Sequence, residues 1–70
     1  MSISDEIMSL TNIGIKAYEA RKHDDAIKAF EKALDLAKIH YPNDPKTKQI
    51  VELINLVKEQ KIIWNKHPTW

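Results

Sequence analysis

The sequence predicts an all-α fold, a three-helix antiparallel bundle, and three observations carry that reading. Apolar residues recur every three or four positions along three separate stretches, the spacing of one helix face. The stretches are separated by short polar or proline-containing breaks at 21–24 and 42–45. Among 70 residues there is one glycine and no cysteine, too little turn chemistry for an all-β domain and no means of building a disulfide framework or thiolate metal site. The expected organisation is a single domain over 1–65, with helices at about 4–21, 24–40 and 45–64, and a tail over 66–70.

In the first helix Ile3, Ile7, Leu10, Ile13/Gly14, Ala17/Tyr18 and Ala20/Arg21 step by three or four and draw one stripe. Ser2 followed by Asp5 has capping-box spacing, and Ser4 ahead of Asp5 and Glu6 is an equally good start. Either way the acidic first turn suits the helix dipole, as Arg21 and Lys22 suit its far end. The polar run Arg21-Lys22-His23-Asp24 ends the stripe, and Asp24 or Asp25 is the expected cap of a second helix. That helix sets Ala26, Ile27, Ala29, Phe30, Ala33, Leu34 and Ala37 against a charged face of Lys28, Glu31, Lys32 and Asp35. So short a connection makes the first two helices a hairpin.

Pro42 biases Tyr41 away from the helical region, which ends the second helix near His40. Asp44-Pro45 is the clearest start in the chain, an acidic N-cap followed by proline at the first helical position. The third helix presents Ile50, Leu53/Ile54, Val57, Lys61 and Trp64, with Val51, Leu56, Ile62 and Ile63 expected to broaden its apolar face. Small residues mark the expected closest approach. A mid-helix glycine costs about 1 kcal/mol relative to alanine, so Gly14 requires a compensating contact, and Phe30 is the natural knob to fill the gap above it.

Eleven basic against ten acidic residues leave a net charge of +1, no general attraction to nucleic acid or anionic lipid. The last third is mildly cationic, but Glu52 and Glu59 interrupt Lys46, Lys48, Lys58, Lys61 and Lys66, and a solvated helix face accounts for them. A nucleic-acid partner is therefore not expected, even with Trp64 and Trp70 as available stacking groups. With no signal-like segment and no run of about 18 apolar residues, the expectation is a soluble protein without a membrane span, placed in the cytoplasm.

Catalysis is not expected either. His23 and His40 stand at opposite ends of the second helix, about 25 Å apart at its rise per residue, so they share neither a metal nor a substrate. Ser2, Ser4 and Ser9 have no paired base, and Asp5-Glu6 and Asp24-Asp25 sit at helix starts, where the dipole explains them. No enzyme activity, cofactor or metal is assigned.

Gly14, Tyr18, Ala26, Phe30, Ala33 and Leu34 together resemble a tetratricopeptide repeat (TPR), whose pattern runs W-x2-L-G-x2-Y, A-x3-F-x2-A and P. The resemblance covers about half the chain, once. Leu10 stands in the tryptophan position, Ile13 in that of leucine, Ala17 in that of tyrosine and Lys38 in that of proline, and Arg21 replaces the glycine that usually closes the first helix. A late Pro42 and the helix count also resemble an MIT (microtubule-interacting and transport) domain, a stand-alone three-helix bundle and the close competitor. The TPR-like resemblance implies a helical hairpin plus a third capping helix and a protein or peptide partner held in a groove lined by Met8, Thr11, Asn12, Ile15, Tyr18 and Glu19. Thr11 and Ile15 occupy places where a chaperone-binding clamp needs lysine and asparagine, so acidic chaperone tails are disfavoured, although Asn12 matches one clamp position. The MIT-like resemblance implies an adaptor for helical tails of membrane-remodelling filament proteins, lying between helices one and three or two and three. A third expectation is structural: Ile62, Ile63, Trp64 and Trp70 cannot all face one core, and an exposed cluster favours a homodimer or a purely structural oligomer.

Overall fold

A computed structural model describes residues 2–66, with side chains described for residues 2–63. Three helices form an all-α bundle: α1 (Ile3–Glu19), α2 (His23–His40) and α3 (Pro45–Lys66). α2 is the central element, packed against both neighbours, whereas α1 and α3 meet only marginally. Short links reverse the chain twice, so α1 and α3 run parallel on either side of an antiparallel α2. Among the described residues, no helix is long and apolar enough to cross a membrane.

The core follows from α2's alanines. Ala26, Ala33 and Ala37 are buried with Phe30 on one face, and they meet Ile50, Ile54 and Val57 of α3. Ile7, Leu10, Ala17 and Tyr18 of α1 close over the same cluster, half-buried. Gly14 is the buried residue of α1, and a Cβ built on it falls 2.5 Å from Phe30 Cε1 and 2.6 Å from Cδ1. The bare glycine backbone thus gives the Phe30 ring its seat, as the sequence implied. Val51, Leu56, Ile62 and Ile63 do not widen the core face of α3, because all four are exposed. With only α2 as a close neighbour, α3 buries one narrow stripe at i, i+4 and i+7.

Each helix start and stop has a specific origin. Ser2 is the N-cap of α1, its Oγ accepting the Asp5 N–H at 3.1 Å. α1 ends at Glu19 rather than at 21, because the chain turns into the left-handed region at Arg21 (φ 63°). The Arg21 N–H donates to the Tyr18 carbonyl at 2.9 Å and the Lys22 N–H to the Ala17 carbonyl at 2.8 Å, the pair of bonds that defines a Schellman motif. Neither Asp24 nor Asp25 caps α2. Lys22 does so through its backbone alone, its carbonyl accepting the Ala26 N–H at 3.0 Å, and the two aspartates fall in the first turn. One residue therefore closes α1 and opens α2, which leaves no room for a side-chain cap. α3 begins as expected, with the Lys46 N–H donating to Asp44 Oδ1 at 2.8 Å ahead of Pro45's missing donor. It continues through Asn65 and Lys66, where a tail was expected; residues 67–70, including Trp70, lie outside the described residues.

A left-handed conformation costs a residue with a Cβ about 1–2 kcal/mol, and part of that returns when glycine replaces it, less glycine's own larger unfolded-state entropy. Comparing Arg21→Gly with Arg21→Ala removes the arginine side chain in both and isolates the backbone contribution. The glycine variant is expected to be more stable by about 1 kcal/mol, a melting difference of about 4–8 °C for a domain of this size. Equal melting temperatures by circular dichroism would show that position 21 does not hold the left-handed turn in solution.

Candidate functional site: the groove between the two parallel helices

Two parallel helices straddling a third leave a channel between them. Here it opens at the end where α1 and α3 begin and α2 finishes. Ile7, Met8, Thr11 and Asn12 form one wall, Lys46, Thr47, Gln49, Ile50 and Leu53 the other, and Ala37 and Tyr41 the floor. The cavity measures about 270 Å³ and is mostly apolar. The two threonine hydroxyls inside it are already engaged. The Thr11 hydroxyl donates to the Ile7 carbonyl at 2.8 Å, and the buried Thr47 hydroxyl donates to the Tyr41 carbonyl at 2.7 Å. Among the described residues, no buried side-chain nitrogen or oxygen lacks a hydrogen-bond partner. The channel therefore offers shape and apolar contact, with Ser4, Asn12, Gln49 and Lys46 as a polar rim.

Of the six positions on α1 expected to line a groove, Met8, Thr11 and Asn12 do so. Ile15 lies two turns beyond Met8 on the same line of α1, exposed and past the channel's end. Tyr18 is half-buried against the core, its ring edge-on to His23 with centroids 6.0 Å apart, and Glu19 is exposed at the last position of α1. Tyr18 and Glu19 thus belong to the opposite end of the bundle. The MIT-like resemblance allowed a groove walled by the third helix, but no residue of the α3 wall was singled out for it from the sequence. Thr47 carried a usable signal there, since it continues the buried series Ile50, Ile54 and Val57 backwards by three.

That opposite end is polar. Arg21, Lys22, His23, Asp24, Asp25 and Lys61 surround a shallow hollow, in which the Lys61 ammonium donates to Asp24 Oδ1. This hydrogen bond, and after it the ammonium's charge, hold the Asp24 carboxyl below its ordinary range. Both side chains are solvent-exposed, so the pair registers the far end of α3 on α2 more than it stabilises the fold. His23 and His40 are the first and last residues of α2. Among the described residues, no group of three or more His, Cys, Asp or Glu is placed to hold a metal ion.

The cluster expected to drive self-association is present in part. Ile62 and Ile63 are each 53% exposed on α3, whereas the side chain of Trp64 and all of Trp70 lie outside the described residues. No family model, curated protein or solved structure matches this chain.

Proposed function

We propose that this domain is a non-catalytic protein-interaction module that holds an amphipathic partner helix in the groove between α1 and α3. The observation that carries the reading is the groove itself: an open apolar channel walled by two parallel helices, with Met8 exposed on its rim and its internal polar groups already satisfied. A helix presenting residues at i, i+3, i+4 and i+7 suits such a channel, because its own backbone hydrogen bonds are internal and only side chains need enter. Each resemblance noted in the sequence allows this location. A TPR-like unit would use the first helix, and an MIT-like unit would take a helical tail between helices one and three or two and three. Asn12 and Gln49 on the rim orient the ligand, and Lys46 favours an acidic residue at that end.

The test is selection of binders from a displayed library of amphipathic helical peptides, followed by chemical-shift mapping of the enriched sequences. Enriched peptides are expected to move the amide signals of Met8, Thr11, Thr47 and Leu53 and to lose at least tenfold in affinity against Met8→Glu. Because Met8 is exposed, that variant should keep its helix content and melting temperature. Peptides that instead shift residues of the α2 outer face, such as Lys28 and Glu31, would overturn the assignment.

A further inference from the structure

α1 and α3 carry a short sequence repetition, and each has an outer flank that the groove does not use. Residues 7–13 of α1 read Ile-Met-Ser-Leu-Thr-Asn-Ile, and residues 50–56 of α3 read Ile-Val-Glu-Leu-Ile-Asn-Leu. The isoleucine, leucine and asparagine coincide, and Met8, Thr11 and Ile13 are matched by Val51, Ile54 and Leu56. Burial repeats as well. Ile7 and Ile50 face the core, Leu10 and Leu53 are half-buried against it, and Asn12 and Asn55 are exposed. α1 and α3 are thus two versions of one packing element laid on the same α2.

Each of these helices has two flanks beside its core stripe. Met8 on α1 and Leu53 on α3 look into the groove. At about 100° per residue, Ile13 lies about 140° around α1 from Met8, and Val51 about 160° around α3 from Leu53. Ile13 (56% exposed) therefore marks the outer flank of α1, and Val51 (37%) with Ile62 (53%) the outer flank of α3. These apolar residues look away from each other on opposite edges of the bundle. The two helices differ in net charge. α1 carries Asp5, Glu6 and Glu19 against Lys16, whereas α3 carries Lys46, Lys48, Lys58, Lys61 and Lys66 against Glu52 and Glu59, with Lys46 on the groove rim and Lys61 paired with Asp24. Glu6 stands seven residues from Ile13 and Lys58 seven from Val51, each two turns away along the same line as its apolar neighbour.

We propose that the occupant of each outer flank is a second copy of this chain, the α1 flank of one copy docking on the α3 flank of the next through apolar contact and opposite charge. Because the two flanks face apart, one partner copy cannot cover both. The association is head-to-tail and open-ended rather than a closed two-fold dimer.

Sedimentation velocity from micromolar to millimolar concentration, with two variants, tests this. The wild-type mass is expected to climb past twice the 8.1 kDa monomer. Ile13→Glu blocks one flank and the double variant Val51→Glu/Ile62→Glu the other, so each alone remains monomeric. Their equimolar mixture, which still contains one intact pair of flanks, is expected to form a dimer and stop there. A wild-type chain that stays monomeric or stops at two copies, single-flank variants that still polymerise, or a mixture that stays monomeric would each overturn the proposal. Circular dichroism of both variants confirms their fold, and Ile13→Ser and Val51→Ser replace them if the glutamates unfold the domain.

Discussion

Replacing Gly14 with alanine lowers the stability of this domain by about 1–2 kcal/mol, although helix propensity alone favours alanine by about 1 kcal/mol. The contact decides the sign. An alanine Cβ would stand 2.5 to 2.9 Å from three carbons of the Phe30 ring, whereas ordinary van der Waals contact begins near 3.4 Å. The ring cannot rotate out of the way, because Phe30 is 1% exposed and sits in the cluster with Ala26, Ala33, Ile54 and Val57. Relief must come from separating α1 from α2, which loosens the contacts of Ile7, Leu10 and Ala17 along the whole helix. Overpacking costs about 1–3 kcal/mol, and three ring carbons within 3.0 Å put this contact in the upper part of that range, so it outweighs the propensity gain. For a domain of this size the loss is a fall of about 4–15 °C in melting temperature.

Steric coupling has a second signature that a general loss of flexibility lacks. In a Phe30→Leu background the ring edge is gone, and Gly14→Ala then recovers the propensity benefit. The double-mutant cycle should give an interaction energy of about 1–3 kcal/mol. Melting curves in which Gly14→Ala is stabilising in the wild-type background, or equally destabilising in both, would show that Gly14 and Phe30 do not meet as described.

The Gly14–Phe30 contact was legible because a costly glycine and an aromatic residue at matching helical spacing are local signals. Features that depend on neighbours were not. Arg21 itself does not announce its left-handed conformation as a glycine would, and only the TPR resemblance, which puts a helix-closing glycine there, pointed to it. The aspartates at 24 and 25 signal a cap, yet the Schellman turn ahead of them had already fixed Lys22 as the boundary. Val51, Leu56, Ile62 and Ile63 raised the apolar count of α3 without revealing that α2 alone would cover it. The groove shows the same division. Met8, Thr11 and Asn12 were found from the pattern of one helix, but the wall opposite belongs to a helix some forty residues later, and a single helical stripe does not say what stands across from it.

Thr47→Val should produce the other large loss, about 0.5–1.5 kcal/mol, from a change that keeps shape and adds apolar surface. Thr47 is 7% exposed, and its hydroxyl donates to the carbonyl of Tyr41, the residue that ends α2. This bond reaches back six residues across the Pro42–Asp44 turn and fixes the angle at which α3 leaves α2. Valine removes the shorter of the two hydrogen bonds to the Tyr41 carbonyl, which keeps only the Asp44 N–H at 3.2 Å and now faces a buried methyl group, a cost that an ordinary exposed threonine would not show. Serine keeps the hydroxyl and loses only the methyl, so Thr47→Ser should retain most of the stability while Thr47→Val does not. The same bond shapes the groove, because Thr47 and Tyr41 both line it. Loosening it should therefore broaden the amide signals of Lys46, Gln49 and Ile50 more than those of Gly14 or Phe30, which lie at the α1–α2 contact. A valine variant as stable as wild type, with unchanged groove signals, would show that the turn is held by Asp44 and Pro45 alone.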